Sequence, residues 1–127
     1  MIRLPVVEAE RKREAFRRGV ELFNQQRFFD CHEVLEAIWL EESESEKPFY
    51  QGLIQVAAGF HQLFEKRNPK GALSLMAAGA EKLRRYPSPH GGLDLAGWLA
   101  ALDPWLDHLA AHGPDDHPPL PLLRLSK

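Results

Sequence analysis

Cysteine is nearly absent from this 127-residue chain, in which Cys31 stands alone. A single thiol excludes an intrachain disulfide framework and a cysteine-cage zinc site. An excess of charge of one sign is lacking too. Sixteen Lys and Arg against 18 Asp and Glu leave a net charge of −2, so no global field gathers nucleic acid or an acidic membrane surface. Long hydrophobic runs are missing as well. Met1 to Glu8 contains no apolar stretch of signal-peptide length, and nothing later approaches the ~18 apolar residues that span a bilayer. A cytoplasmic protein is expected. No segment alternates with period two over strand length, so no sheet is expected either.

What is present reads as helices separated by turn residues. At 44% hydrophobic and 27% charged, a chain of this length forms one domain with a real core. A first helix is expected from about Glu8 to Phe23, with Phe16, Val20 and Phe23 on one face and Asn24 as its left-handed stop. A second runs from about Phe28 to Leu40 and ends in the acidic loop Glu41 to Glu46. A third begins near Pro48 and reaches about Lys66. Asn68-Pro69 pairs an N-cap with a proline at the first helical position and opens a fourth helix to about Arg85. Asp94 is the expected cap of the next helical region, which Asp103-Pro104 is expected to split in two. The fold class is therefore all-α, an antiparallel bundle of about five to six helices. Residues 1–112 form the domain. Residues 113–127, with Pro114, Pro118, Pro119 and Pro121, form an extended tail.

The chemically unusual segment is Phe28 to Trp39. Advancing about 100° per residue, Phe28, Leu35 and Trp39 fall near one line and His32 lies about 40° from it. Glu36 is bracketed by apolar neighbours, where a carboxylate must be paired, protonated or open to a cavity. On the third helix Phe49, Leu53, Val56 and Phe60 define a core line. His61 again lies among apolar residues, Gln51, Gln55 and Gln62 form a polar stripe, and Gly52 and Gly59 leave room for a neighbouring helix. If these helices make a hairpin, His61 lands within one or two turns of His32. His90, His108, His112 and His117 fall in loop and C-terminal segments, where exposure is the simpler expectation.

Each residue has a plain structural role open to it. His32 can be a core histidine bonded to a neighbour, Glu33 a first-turn acid, Glu36 a partner of Arg17 or Arg27, and Cys31 a small buried hydrophobe. The same residues also admit chemistry. His32 and Glu36 at i, i+4 are spaced to offer two ligands to a divalent metal, with His61 as a third and Glu33 as general base of a hydrolase. A histidine-glutamate metallohydrolase motif has a second histidine where this chain has Glu36, so the match is partial. Arg11, Lys12, Arg13, Arg17 and Arg18 alternate with acids and read as a solvated, ion-paired face that binds no nucleic acid.

Phe28-Phe29-x-x-His32-Glu33-x-x-Glu36-x-x-Trp39, then Gln51-Gly52-Leu53-Ile54-Gln55, His61 and Asn68-x-x-Gly71-Ala72 resemble the family called domain of unknown function 309. The resemblance covers roughly residues 16 to 85, and Gly92-Leu93-Asp94 is similar to a later turn of that family. It implies a small helical bundle, and His32, Glu33, Glu36, Gln51, Gln55 and His61 as a common polar site. It implies no activity. Cys31, where a smaller residue is typical, and the tail depart from the pattern.

Three functions follow as expectations. The first is a non-catalytic helical domain whose buried His/Glu network is structural or lines a small pocket. The second is the metal-dependent hydrolase, and the third a protein-interaction module built on the first hairpin with Phe28 and Phe29. No cofactor is established by the sequence. Trp98, Trp105 and the tail residues Leu120, Leu122, Leu123 and Leu125 suggest a homodimer surface, because leucines between prolines are poorly left in water.

Overall fold

Amphipathic spacing resolves into five helices in the computed structural model: α1 (Pro5–Asn24), α2 (Phe28–Leu40), α3 (Lys47–Phe64), α4 (Pro69–Leu83) and α5 (Leu95–Ala111). The structure describes residues 5–111 and 115–126, with side chains from residue 7 onward. The expected junction between domain and tail at 112/113, with His112 and Pro114, lies outside the described residues. The fold is an all-α bundle in which each helix packs on the next along the chain. No strand occurs among the described residues, only the isolated bridges His90–Leu93 and Leu93–Leu125. None of the described helices is long and apolar enough to cross a membrane.

Short turns make the first four helices antiparallel. Lys12 near the start of α1 pairs with Glu42 just past the end of α2. Phe28 at the start of α2 stacks on Phe60 near the end of α3, with 5.2 Å between ring centroids. Between α3 and α4 the approach is backbone to backbone. A Cβ on Gly52 would lie 2.9 Å from the Gly79 carbonyl oxygen, and one on Gly79 would lie 2.5 Å from that of Gly52. Glycine is required at both positions because a side chain would push the helices apart. The core runs through Phe23, Leu35, Phe49, Val56, Phe60, Met76, Leu83, Leu102 and Trp105, each 2% exposed or less.

Caps follow the sequence at two starts. The Asn68 side chain accepts from the Gly71 N–H at 3.0 Å, and the Asp94 carboxylate accepts from the Gly97 N–H at 3.1 Å. Two expectations are corrected. Pro104 does not divide α5, which continues through it. Leu95, Trp98, Leu102, Trp105 and Leu109 form one unbroken buried stripe, and its packing outweighs the lost backbone hydrogen bond and ring clash of an internal proline, about 3 kcal/mol. Asn24 is not the left-handed stop; Gln26 is, with φ of 64°.

Asn24 instead holds the tail. Its amide donates to the Leu123 carbonyl at 2.9 Å and accepts from the Leu123 N–H at 2.8 Å. The indole N–H groups of Trp98 and Trp105 donate to the Pro121 and Pro119 carbonyls at 2.8 and 2.9 Å. The tail is extended, as its prolines require, and lies on the bundle with Leu123 only 5% exposed. Trp98 and Trp105 are buried, so the apolar surface that suggested a homodimer is largely covered by the chain itself. Leu122, 48% exposed, is the tail leucine left outside.

Candidate functional site

The buried stripe of α2 comprises Phe28, Cys31, Leu35 and Ile38. Its centre is turned by about 40° from the Phe28–Trp39 line towards Cys31 and Ile38. That rotation decides the fate of the polar residues. His32 stands on the shoulder of the stripe with its side chain 28% exposed, and Glu36 beyond it is 47% exposed. Glu33 lies opposite the stripe in solvent. The expected buried His/Glu network is therefore corrected: among the described residues no histidine, amide, Ser/Thr or charged side chain is buried.

His32 Nε2 and Glu36 Oε2 are 3.4 Å apart. His61 on α3 reaches the same region through an aromatic bridge. The ring of Phe29, itself 53% exposed, lies 6.1 Å from that of His32 and 5.5 Å from that of His61. His32 Nδ1 and the indole nitrogen of Trp39 are covered and meet no hydrogen-bond partner among the described residues. Gln55 turns away, accepting from Lys82 Nζ on α4 at 2.9 Å. Gln51 is half-buried on α3. Among the described residues no group of three His, Cys, Asp or Glu side chains is arranged to hold a metal ion. The geometry brings together His32, Glu36, Phe29 and His61, and leaves Glu33 and Gln55 apart from them.

Cys31 is fully buried beneath α2, and burial pushes its thiol up to about 12, against a smaller opposing effect of a backbone hydrogen bond at Phe23. A thiol so placed carries no thiolate near neutral pH and is no nucleophile.

A concavity opens at the other end of α3, roughly 18 Å away by the rise of twelve helical residues from His61 to Phe49. It is a cleft of about 870 Å³ between α1, the start of α3, the 90–92 turn and the end of the tail. Phe16, Phe49, Tyr50 and Leu125 supply apolar lining, while Lys12, Arg13 and Arg17 supply positive charge. The aromatic rings support each other edge to face: Phe16 meets Tyr50 at 5.8 Å and Phe49 meets Tyr50 at 5.1 Å. Burial raises the Tyr50 hydroxyl above its ordinary range, and the carboxylates of Glu42 and Glu46 raise it further. The phenol is therefore neutral.

His90 is half-buried in this wall and not exposed as its loop position suggested. Its Nε2 lies 2.8 Å from Glu46 Oε2, and its ring packs on Phe49 at 4.6 Å. Tyr86 locks the same corner, accepting from the Phe49 N–H at 3.1 Å and donating to the Ser45 carbonyl at 2.7 Å. The turn is possible because Gly91 and Gly92 take φ of 57° and 78°, which a side chain would strain. In the sequence Lys12, Arg13 and Arg17 read only as part of a solvated face. The available signal was that Ala9, Arg13 and Phe16 share one side of α1, within about 60°. The opposing wall comes from residues more than seventy positions further on, Gly91 and Leu125 among them.

Residues 16–75 match the family described as Domain of unknown function (DUF309). No curated protein matches the chain.

Proposed function

Given that residues 16–75 form a DUF309 domain, we propose that in this chain it serves as a binding domain for a small organic ligand held in the α1–α3 cleft. The observation that carries this is the cleft itself. Its volume of about 870 Å³ falls in the range of small-ligand sites, roughly 300–1,000 Å³, and it combines apolar walls with a few polar groups as such sites do. The domain contributes Phe16, Arg17, Glu46, Phe49 and Tyr50, whereas Lys12, Arg13, His90 and Leu125 lie outside the matched span. The ligand is then a property of this chain and not of the domain alone.

The hydrolase alternative has less support, because Glu33 stands in solvent and His32, Glu36 and His61 are not gathered as a donor set. The α2–α3 histidines act as a half-exposed seam between helices. The neutral dye N-phenyl-1-naphthylamine tests the cleft on the full chain. Saturable fluorescence enhancement is expected, and Ala9→Trp, which puts an indole into the opening, should abolish it while leaving the circular dichroism unchanged. Absence of saturable binding to the wild-type chain, or binding undisturbed by the indole, overturns the proposal.

A further inference from the structure

The charges around the cleft are unequally committed. Lys12 is paired with Glu42 and stands 5.8 Å over the Tyr50 ring. Glu46, the one acidic residue of the lining, is bound to His90 at 2.8 Å. Arg13 has no ion-pair partner among the described residues. Among the described residues the ion-pair partner of Arg17 is Glu14, at 3.5 Å, with both side chains more than 60% exposed (61% and 66%), a contact that water and salt screen heavily. Two guanidinium groups thus remain available at the rim, one turn apart on α1, above an apolar lining formed by the half-buried Leu125 and the edges of the largely buried Phe16, Phe49 and Tyr50 rings.

We propose that the cleft binds a small aromatic acid, with the ring system against Phe16, Phe49 and Tyr50 and the anionic group held by Arg13 and Arg17. This rests on the cleft being a binding site and adds the chemical class of its occupant. The guanidinium fork presents paired N–H donors to a carboxylate, sulfonate or phosphate. The aromatic floor supplies apolar burial and ring-edge contacts. A cation is a poor occupant because it would face Lys12, Arg13 and Arg17 together. A neutral ring would leave both guanidinium groups unused.

The test pairs two dyes that differ by one group. 8-Anilinonaphthalene-1-sulfonate carries the anion; N-phenyl-1-naphthylamine has the same rings without it. On the full chain the sulfonate is expected to bind at least tenfold more tightly at low salt, with the advantage shrinking as ionic strength rises. Arg13→Gln and Arg17→Gln should each weaken the sulfonate several-fold and leave the neutral dye unchanged. Both arginines are solvent-facing, and an unaltered melting temperature checks that the variants fold. Equal affinities, or sulfonate binding indifferent to both substitutions, overturn the inference and leave the cleft as a neutral-ligand site. Sulfonate binding that survives Ala9→Trp also overturns it, and failure of both dyes removes the cleft reading as well.

Discussion

Glu36 and His32 illustrate how much a few tens of degrees of helix rotation matter to a single residue. In a buried network the pair would be worth several kcal/mol to whichever partner remained. At 3.4 Å, with exposures of 47% and 28%, it resembles a surface i, i+4 contact worth about 0.5 kcal/mol or less. Glu36→Gln should accordingly change the urea midpoint by no more than that equivalent, and a loss above about 2 kcal/mol would restore a buried role. Cys31 gives a pH-dependent counterpart. Its thiol moves from 9.0 to about 12 on folding, so above pH 9 the unfolded chain releases a proton that the folded chain keeps. Stability then falls as pH rises through that window, by at most about 1.4 kcal/mol per pH unit from this group. Comparing Cys31→Ala with wild type between pH 8 and 10.5 should show a shallower decline in the variant; parallel curves would contradict it. Both residues were visible as candidates in the helical spacing, but their exposure depended on which side of α2 the core chose.

Among the helices, α3 and α4 show where packing overrules propensity. Replacing a helical glycine by alanine ordinarily favours the helix by about 1 kcal/mol. At Gly79 the added Cβ would meet the Gly52 carbonyl at 2.5 Å and Val56 at 2.9 Å. Gly79→Ala is therefore expected to destabilise by about 1–3 kcal/mol, as overpacked cores do. Stabilisation in a chemical melt would show that the interhelical gap yields. Sequence spacing already marked Gly52 and Gly59 as places for a neighbour, and Asn68-Pro69 as a helix start, because capping and close approach depend on residue type locally. Pro104 shows the opposite case. Local rules end a helix there, yet Trp98 and Trp105 on either side are buried in the same core, and the segment stays helical to keep both in place.

At the scale of the whole molecule the tail joins elements far apart in the chain. Asn24 and Leu123 are 99 residues apart and exchange two hydrogen bonds, tying the end of α1 to the strap that crosses α5. Asn24→Ala leaves both Leu123 backbone groups without that partner, at about 1–3 kcal/mol for each that stays buried. Faster amide exchange at Leu123 and earlier proteolytic nicking of residues 115–126 are expected, before global unfolding. Unchanged protection would mean that the two tryptophan bonds suffice. The strap also completes the cleft, since Leu125 and Ser126 form part of its lining. By itself the sequence determined the all-helical class, the start of α4 at Asn68 and the Asp94 cap of α5, the near-balanced charge and the candidacy of His32 and His61, each of which is read from residue type and local spacing. Only the tertiary structure decided that α2 turns Cys31 inward, that the proline-rich segment covers Trp98 and Trp105, and that a basic edge of α1 overlooks an aromatic cleft. Those outcomes depend on contacts between residues far apart in the chain, where apolar burial and loop closure set the geometry and local spacing carries no record of it.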